Sequence, residues 1–125
     1  MFCKIYSRGT FRMLILSHHH RYFLFRGVCD MRKGFDGLSG LVRNNMQCDP
    51  LNGDIYLFFN RRCNQVKVLQ WDRDGFALYY KRLEQGTFEL PKNDETKISA
   101  AILSCILQGI SLEYIRKRKR FERAA

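Results

Sequence analysis

The carboxylates of this chain are the first residues to consider for chemistry, because several of them stand close together. Asp72-Arg73-Asp74 is the densest group, and Glu84 or Glu89 could supply a further ligand. Phosphoryl-transfer enzymes commonly hold two metal ions about 4 Å apart with several such carboxylates. Both aspartates, however, lie in a turn-forming sequence, and turn propensity with solvation explains them more simply. The sequence therefore indicates no catalytic residue and no metal site.

Other nucleophiles and metal ligands are poorly placed. The five cysteines are scattered without a Cys-x-x-Cys spacing, which argues against both a disulfide framework and a zinc site. The three histidines, at positions 18–20, have no second pair of ligands nearby, and no glycine-rich phosphate loop occurs. We expect no cofactor.

The net charge of +10 is the strongest compositional signal, and its distribution is uneven. Residues 1–20 hold three Lys/Arg and no Asp/Glu, residues 21–90 hold eleven against eight, and residues 91–125 hold eight against four. The sharpest concentration is five consecutive cations near the C-terminus. Such a cluster is typical of a surface that binds a polyanion.

The lysines and arginines in loops, at element ends and in the tail are therefore the candidate contacts to DNA phosphates. They are Arg32, Lys33, Arg61, Arg62, Lys81 and Arg82, followed in the tail by Arg116, Lys117, Arg118, Lys119 and Arg120. A solvated rim is the alternative for the loop arginines, and a solubilising tail is the alternative for the C-terminal run. No helix-turn-helix or finger pattern is present, so the contacts would be mainly non-specific.

Aromatic residues offer a second route to nucleic acid. Tyr56, Phe58, Trp71 and Tyr79 could form a face of the sheet on which unpaired bases stack. Burial under the helices is the interpretation that we favour for these four side chains.

Period-two patterns predict the strands that position these residues. The predicted strands are Arg21–Arg26, Asp54–Asn60, Gln65–Asp72 and Phe76–Leu83, with a short extended piece at Thr87–Leu90. Asp74-Gly75 predicts a hairpin, so an antiparallel meander follows.

Two helices complete the prediction. Asp30 is expected to cap the first turn of a helix whose apolar stripe includes Leu38 and Val42, and which carries Arg32 and Lys33 in that turn. Three glycines, at positions 34, 37 and 40, predict close packing of this helix on the sheet, with a docking strip for a partner as the alternative. The second helix runs from a cap at position 99 to a left-handed glycine at position 109.

The predicted organisation is a single α+β domain with an antiparallel meander sheet of four to five strands, two flanking helices and a basic C-terminal tail. Residues 1–20 are expected to form a flexible extension, residues 21–112 the domain and residues 113–125 the tail. No apolar run approaches the roughly 20 residues that cross a bilayer, and no signal peptide is apparent, which favours a cytoplasmic protein.

Several motifs in a fixed order support a family assignment. Arg-Gly-Val-Cys-Asp-Met-Arg-Lys-Gly-Phe-Asp-Gly-Leu-Ser-Gly-Leu-Val spans positions 26–42. Between positions 49 and 88 follow Asp-Pro-Leu-Asn-Gly, Asn-Arg-Arg, Trp-Asp-Arg-Asp-Gly-Phe and Tyr-Lys-Arg-Leu-Glu-Gln-Gly-Thr-Phe. Together they resemble the TnpB (Orf2-like) accessory proteins of the insertion sequence 66 family of bacterial transposons, over roughly residues 21–121.

The resemblance implies a non-catalytic role in DNA transposition, because strand cutting in this family is assigned to a separate, larger transposase. The implied partners are transposon-end DNA, that transposase and the element's other accessory protein, with no membrane and no small-molecule substrate. The implied location is the cytoplasm, associated with the nucleoid when the protein is bound to DNA. A protein–protein adaptor with little DNA affinity of its own is the alternative.

Overall fold

The computed structural model describes residues 20–109, so most of the predicted N-terminal extension and the whole basic tail lie outside the described residues. The described part is an α+β domain, as expected, with a five-stranded sheet in the order β4-β3-β2-β1-β5. In chain order the elements are β1 (Tyr22–Leu24), α1 (Phe35–Asn44), β2 (Ile55–Phe59), β3 (Gln65–Asp72), β4 (Gly75–Arg82), β5 (Lys97–Ile98) and α2 (Ala100–Gln108). The first four strands agree with the predicted runs to within two residues at each end.

The meander and the crossover make this a mixed sheet. β2, β3 and β4 are successive antiparallel neighbours, as predicted, and β5 lies antiparallel to β1. β1 pairs with β2 in parallel, with Tyr22 opposite Ile55. Parallel neighbours need a long crossover connection, and the segment that contains α1 supplies it.

Each face of the sheet is covered by one helix. Alternation along β2 sends Tyr56 and Phe58 into the cluster beneath α1, and Leu57 and Phe59 into the cluster beneath α2. All five β2 residues are consequently buried. The stripe on α1 and the apolar positions of α2 point inward as predicted, because Leu38, Val42, Leu103, Ile106 and Leu107 are all buried.

The predicted start of the first helix is wrong. α1 begins at Phe35, its N-cap Gly34 is extended, and no side chain caps it. Asp30 instead closes a separate turn, in which its carboxylate accepts from the backbone N–H of Arg32 at 2.9 Å and its carbonyl accepts from that of Lys33 at 3.1 Å. Arg32 and Lys33 therefore precede α1 rather than occupying its first turn.

The glycines of α1 do not pack closely on the sheet, which also corrects the sequence prediction. A Cβ built at Gly34 or Gly40 would meet nothing within 4 Å, and the nearest atoms to one built at Gly37 would be those of the Lys33 side chain, at 3.0 Å. The helix rests on the sheet through its larger apolar side chains instead.

The second helix follows its sequence signals. The Ser99 hydroxyl accepts from the backbone N–H of Ile102 at 3.1 Å, and Gly109 ends α2 at φ 77°. The predicted extended piece at Thr87–Leu90 is not part of a strand, and its Phe88 packs in the core against Phe59. The fifth strand is β5, on the far side of β1.

Candidate nucleic-acid interface

Four of the predicted phosphate contacts lie where β2 and β4 end and β3 begins. Arg61 and Arg62 stand in the loop between β2 and β3, and Lys81 and Arg82 close β4. The β3–β4 register places Lys81 opposite Val66 and Arg82 opposite Gln65, at the start of β3. Antiparallel pairing therefore brings two sequence-distant pairs of cations to one end of the sheet.

The loop that carries Arg61 and Arg62 is held by hydrogen bonds with Asn60. The Asn60 side-chain oxygen accepts from the backbone N–H groups of Asn64 and Gln65, both at 3.0 Å, and its amide donates to the Asn64 side chain at 2.7 Å. Within residues 20–109, neither arginine donates a side-chain hydrogen bond, and both are exposed. Their guanidinium groups are available to a ligand.

A backbone hydrogen bond places the turn with Arg32 and Lys33 near the same end of the sheet. The Cys29 N–H donates to the carbonyl of Phe59, the last residue of β2, at 3.0 Å, which brings the turn that follows beside the end of the sheet. Arg32 is held there by Asp30 at 2.7 Å. The Arg32 guanidinium lowers the pKa of Asp30 to about 2, and Asp30 in turn raises the pKa of Arg32.

We call this group of six the basic end, and define it as Arg32, Lys33, Arg61, Arg62, Lys81 and Arg82. A cleft of about 230 Å³ opens within it, between the Arg62 loop and the chain that leaves β4. Glu84 lines the cleft and accepts an exposed hydrogen bond from Arg82 at 3.2 Å. Exposed pairs of this kind are weak, so Arg82 can exchange Glu84 for another anion.

Lys67 is a positioning residue that the sequence interpretation missed. It is 8% exposed, and its ammonium donates to the carbonyls of Met31 and Lys33, both at 2.8 Å. The ammonium also lies 4.8 Å from the centroid of the Tyr80 ring. Lys67 thereby fixes the turn that carries Arg32. The signal was present, because alternation along β3 placed this lysine on an inward face beside Leu69.

Two arginines outside the predicted set serve the fold. Arg21 makes a bidentate pair with the buried Asp54, at 3.0 and 2.7 Å, which joins β1 to the start of β2. Arg26 donates to the carbonyls of Pro91 and Glu95, at distances between 2.6 and 3.0 Å, and so holds the loop before β5. Both side chains are committed to these contacts.

The candidate metal ligands are separated by the fold. Asp72 is the last residue of β3 and Asp74 lies in the turn between β3 and β4, at the end of the sheet opposite the basic end, whereas Glu84 follows the far end of β4. We call this opposite end, with Asp54, Asp72 and Asp74, the hairpin end. No group of three or more His, Cys, Asp or Glu side chains suited to a metal occurs between residues 20 and 109.

The aromatic platform considered from sequence does not form. Tyr56 and Phe58 are fully buried beneath α1, while Tyr79 is buried on the other face beneath α2. Burial raises the pKa of Tyr56 to about 12. Trp71 is half-buried and packs edge-on against Phe76 at 5.0 Å. Tyr56, Phe58 and Tyr79 therefore belong to two cores, as the interpretation that we favoured predicted, whereas Trp71 belongs to neither buried cluster.

The five tail cations, from Arg116 to Arg120, lie outside the described residues. The structure thus brings together six of the eleven predicted contacts. No helix within the described range is long and apolar enough to span a membrane.

Fold and charge together define a small α+β domain whose mixed sheet has one basic end. The chain belongs to the family of IS66 Orf2-like proteins, whose model matches residues 20–117. It is 35% identical over 100 residues to the uncharacterized protein y4hO of Sinorhizobium fredii, with 78% of this chain and 87% of that one covered. It is 32% identical over 91 residues to the uncharacterized protein y4jC of the same organism, with 71% and 78% covered. No solved structure gives a significant match.

Membership of this family supports an accessory role in the transposition of an insertion sequence.

Proposed function

We propose that this chain is a non-catalytic accessory protein of DNA transposition, which binds DNA mainly through its phosphates and assists a separate transposase. The observation that carries the proposal is the basic end. Three segments that are distant in sequence place six cations at one end of the sheet, whereas Arg73 at the hairpin end stands between two aspartates and Asp54 there is paired with Arg21. A charge separation of this kind orients the domain toward a polyanion.

The proposed contacts are electrostatic and independent of base sequence. Each phosphate neutralised contributes about 0.9 to the slope of log affinity against log salt, so six contacts give a slope near 5. The tail from Arg116 to Arg120 would add further contacts. Removing residues 116–125 should weaken DNA binding while leaving the described core intact, because a charged tail buries little surface.

The test is a fluorescence anisotropy titration of a DNA duplex at several salt concentrations, with the full chain. R61Q/R62Q should weaken binding to the element's terminal repeat and to a scrambled duplex alike, and should lower the salt slope by about two. The matched control R43Q/R73N also removes two exposed cations, but from the end of α1 and from the hairpin end. Asn is chosen at position 73 because Arg73 has φ 60°, which Asn tolerates.

Equal losses in the two double variants would contradict the proposal, because only net charge would then matter. Binding that does not change with salt would contradict it as well.

A protein–protein adaptor is the second candidate, and the open glycine face of α1 favours it. Gly34 and Gly40 have free space above their Cα atoms, so another backbone could approach closely there. Capture of the transposase by this chain, with and without nuclease treatment, separates the two candidates. A complex that survives nuclease treatment supports the adaptor, whereas one that is lost supports binding through DNA.

A further inference from the structure

The two edges of the sheet differ in how they are protected. β5 has only two residues and leads directly into α2, so it offers little backbone to another strand. β4 has eight residues, contains no proline, and keeps an unbroken register with β3 from Gly75 to Arg82. Its five central residues, from Phe76 to Tyr80, carry no charge. Natural edge strands are usually shortened, bulged, charged or covered. Of these protections β4 has only charge, and only at its last two residues, Lys81 and Arg82.

Half of the backbone groups of β4 point away from the sheet. Leu83 donates its N–H to the Asn64 carbonyl at 2.8 Å, and hydrogen-bonded pairs recur at every second residue of an antiparallel ladder. The residues that bond to β3 are therefore Ala77, Tyr79 and Lys81. The N–H and C=O groups of the alternate residues between them face outward. No other segment of residues 20–109 pairs with this edge.

We propose that the β4 edge is a dimerisation surface, on which a second copy of this chain adds its own β4 in antiparallel orientation. The two-fold axis runs between the two Leu78 residues, so that Leu78 of one copy faces Leu78 of the other. Phe76 then faces Tyr80 of the second copy, with both aromatic rings on the face that carries α1. Three such outward pairs exchange about six backbone hydrogen bonds.

The charges at the two ends of β4 and in the turn before it favour this register. With Leu78 at the centre, Asp74, the turn residue that precedes β4 in each copy, comes beside Arg82 of the other copy, and the dimer contains this pair twice. A register centred on Tyr79 would place Asp74 opposite Glu84, which repels it, and one centred on Ala77 would place Asp74 opposite Tyr80. The hairpin is thus complementary to itself in this arrangement, because the acidic turn residue before β4 and the basic end of β4 exchange places across the axis.

The dimer would be one continuous sheet of ten strands, with the two basic ends at opposite extremities. Arg82 is used at the contact, while the other five cations of each basic end stay open. Dimerisation does not depend on the proposed DNA binding and is measured without DNA, so either can fail alone.

The experiment is sedimentation equilibrium of the full chain across a wide range of protein concentration. We expect a reversible dimer. D74R and R82D should each raise the dimer dissociation constant at least roughly tenfold, because each sets like charges opposite one another at two places in the dimer. The double variant D74R/R82D restores opposite charges and should return the dissociation constant close to that of the original chain.

Hydrogen exchange supplies the second readout. In the dimer, the outward amides of Phe76, Leu78 and Tyr80 should gain protection as protein concentration rises. Circular dichroism confirms that each variant is folded before its dissociation constant is compared.

Three outcomes would overturn the proposal. A monomer at every concentration would do so, and protected outward amides in that monomer would assign the edge to the chain's own terminal residues. A dimer indifferent to D74R and R82D would place the contact elsewhere. Failure of the double variant to recover would show that the two charges do not face each other.

Discussion

Replacement of Lys67 by methionine tests how the basic end is built. Methionine has nearly the length of lysine but no charge, so K67M removes the bonds to the carbonyls of Met31 and Lys33 without opening a large cavity. A hydrogen bond from a charged donor contributes about 1.5–3 kcal/mol. Two such bonds are lost, and relief from burying an ammonium offsets part of the loss. We expect a net decrease of about 2 kcal/mol in the free energy of unfolding.

The assay is urea denaturation followed by circular dichroism, together with the melting temperature. For a domain of this size the expected decrease in melting temperature is about 10 °C. K81M is the matched control, because Lys81 lies on the adjacent strand, is half-buried, and donates no side-chain hydrogen bond within the described range. The control should change stability by less than about 0.5 kcal/mol. If K67M were as stable as K81M, the carbonyl contacts of Lys67 would not hold the turn.

Three further predictions concern local contacts. The hydrogen bonds from Arg32 lower the pKa of the Asp30 carboxyl to about 2. This carboxyl therefore stabilises the fold above its unfolded pKa of about 4, and the contribution is lost as the pH falls through 2. An NMR titration of Asp30 with a midpoint near 4 would contradict this. S99A should cost about 1 kcal/mol in urea denaturation, because Ser99 caps α2, and no loss would show that this bond is unimportant. G40A should raise the free energy of unfolding by about 0.5–1 kcal/mol, because its new Cβ meets no other atom within 4 Å. G37A should raise it by less, because its Cβ would lie 3.0 Å from the Lys33 side chain. A decrease in stability in G40A would support close packing of this helix on the sheet.

The failed prediction at Asp30 illustrates how tertiary contacts override a local signal. An aspartate before an apolar stripe is a sound cap signal. In the folded domain, however, Cys29 is bonded to the end of β2, and Lys67 takes the carbonyls of Met31 and Lys33. Those two carbonyls accept hydrogen bonds from a side chain on β3, and α1 begins only after Gly34. No local pattern near Asp30 contains that information.

The local backbone of this protein was determined by its sequence. Side chains that alternate with period two define β2, β3 and β4, the Asp74-Gly75 pair marks the hairpin, and Ser99 and Gly109 bound α2, because each of these signals acts within a few residues of the chain. Which residues become neighbours was decided only by the tertiary structure. The parallel pairing of β1 with β2, the division of the aromatics between two cores, and the gathering of Arg32, Arg61 and Arg82 at one end all depend on how the strands reverse and align. That alignment is fixed by burial on both faces of the sheet at once, which no single segment encodes.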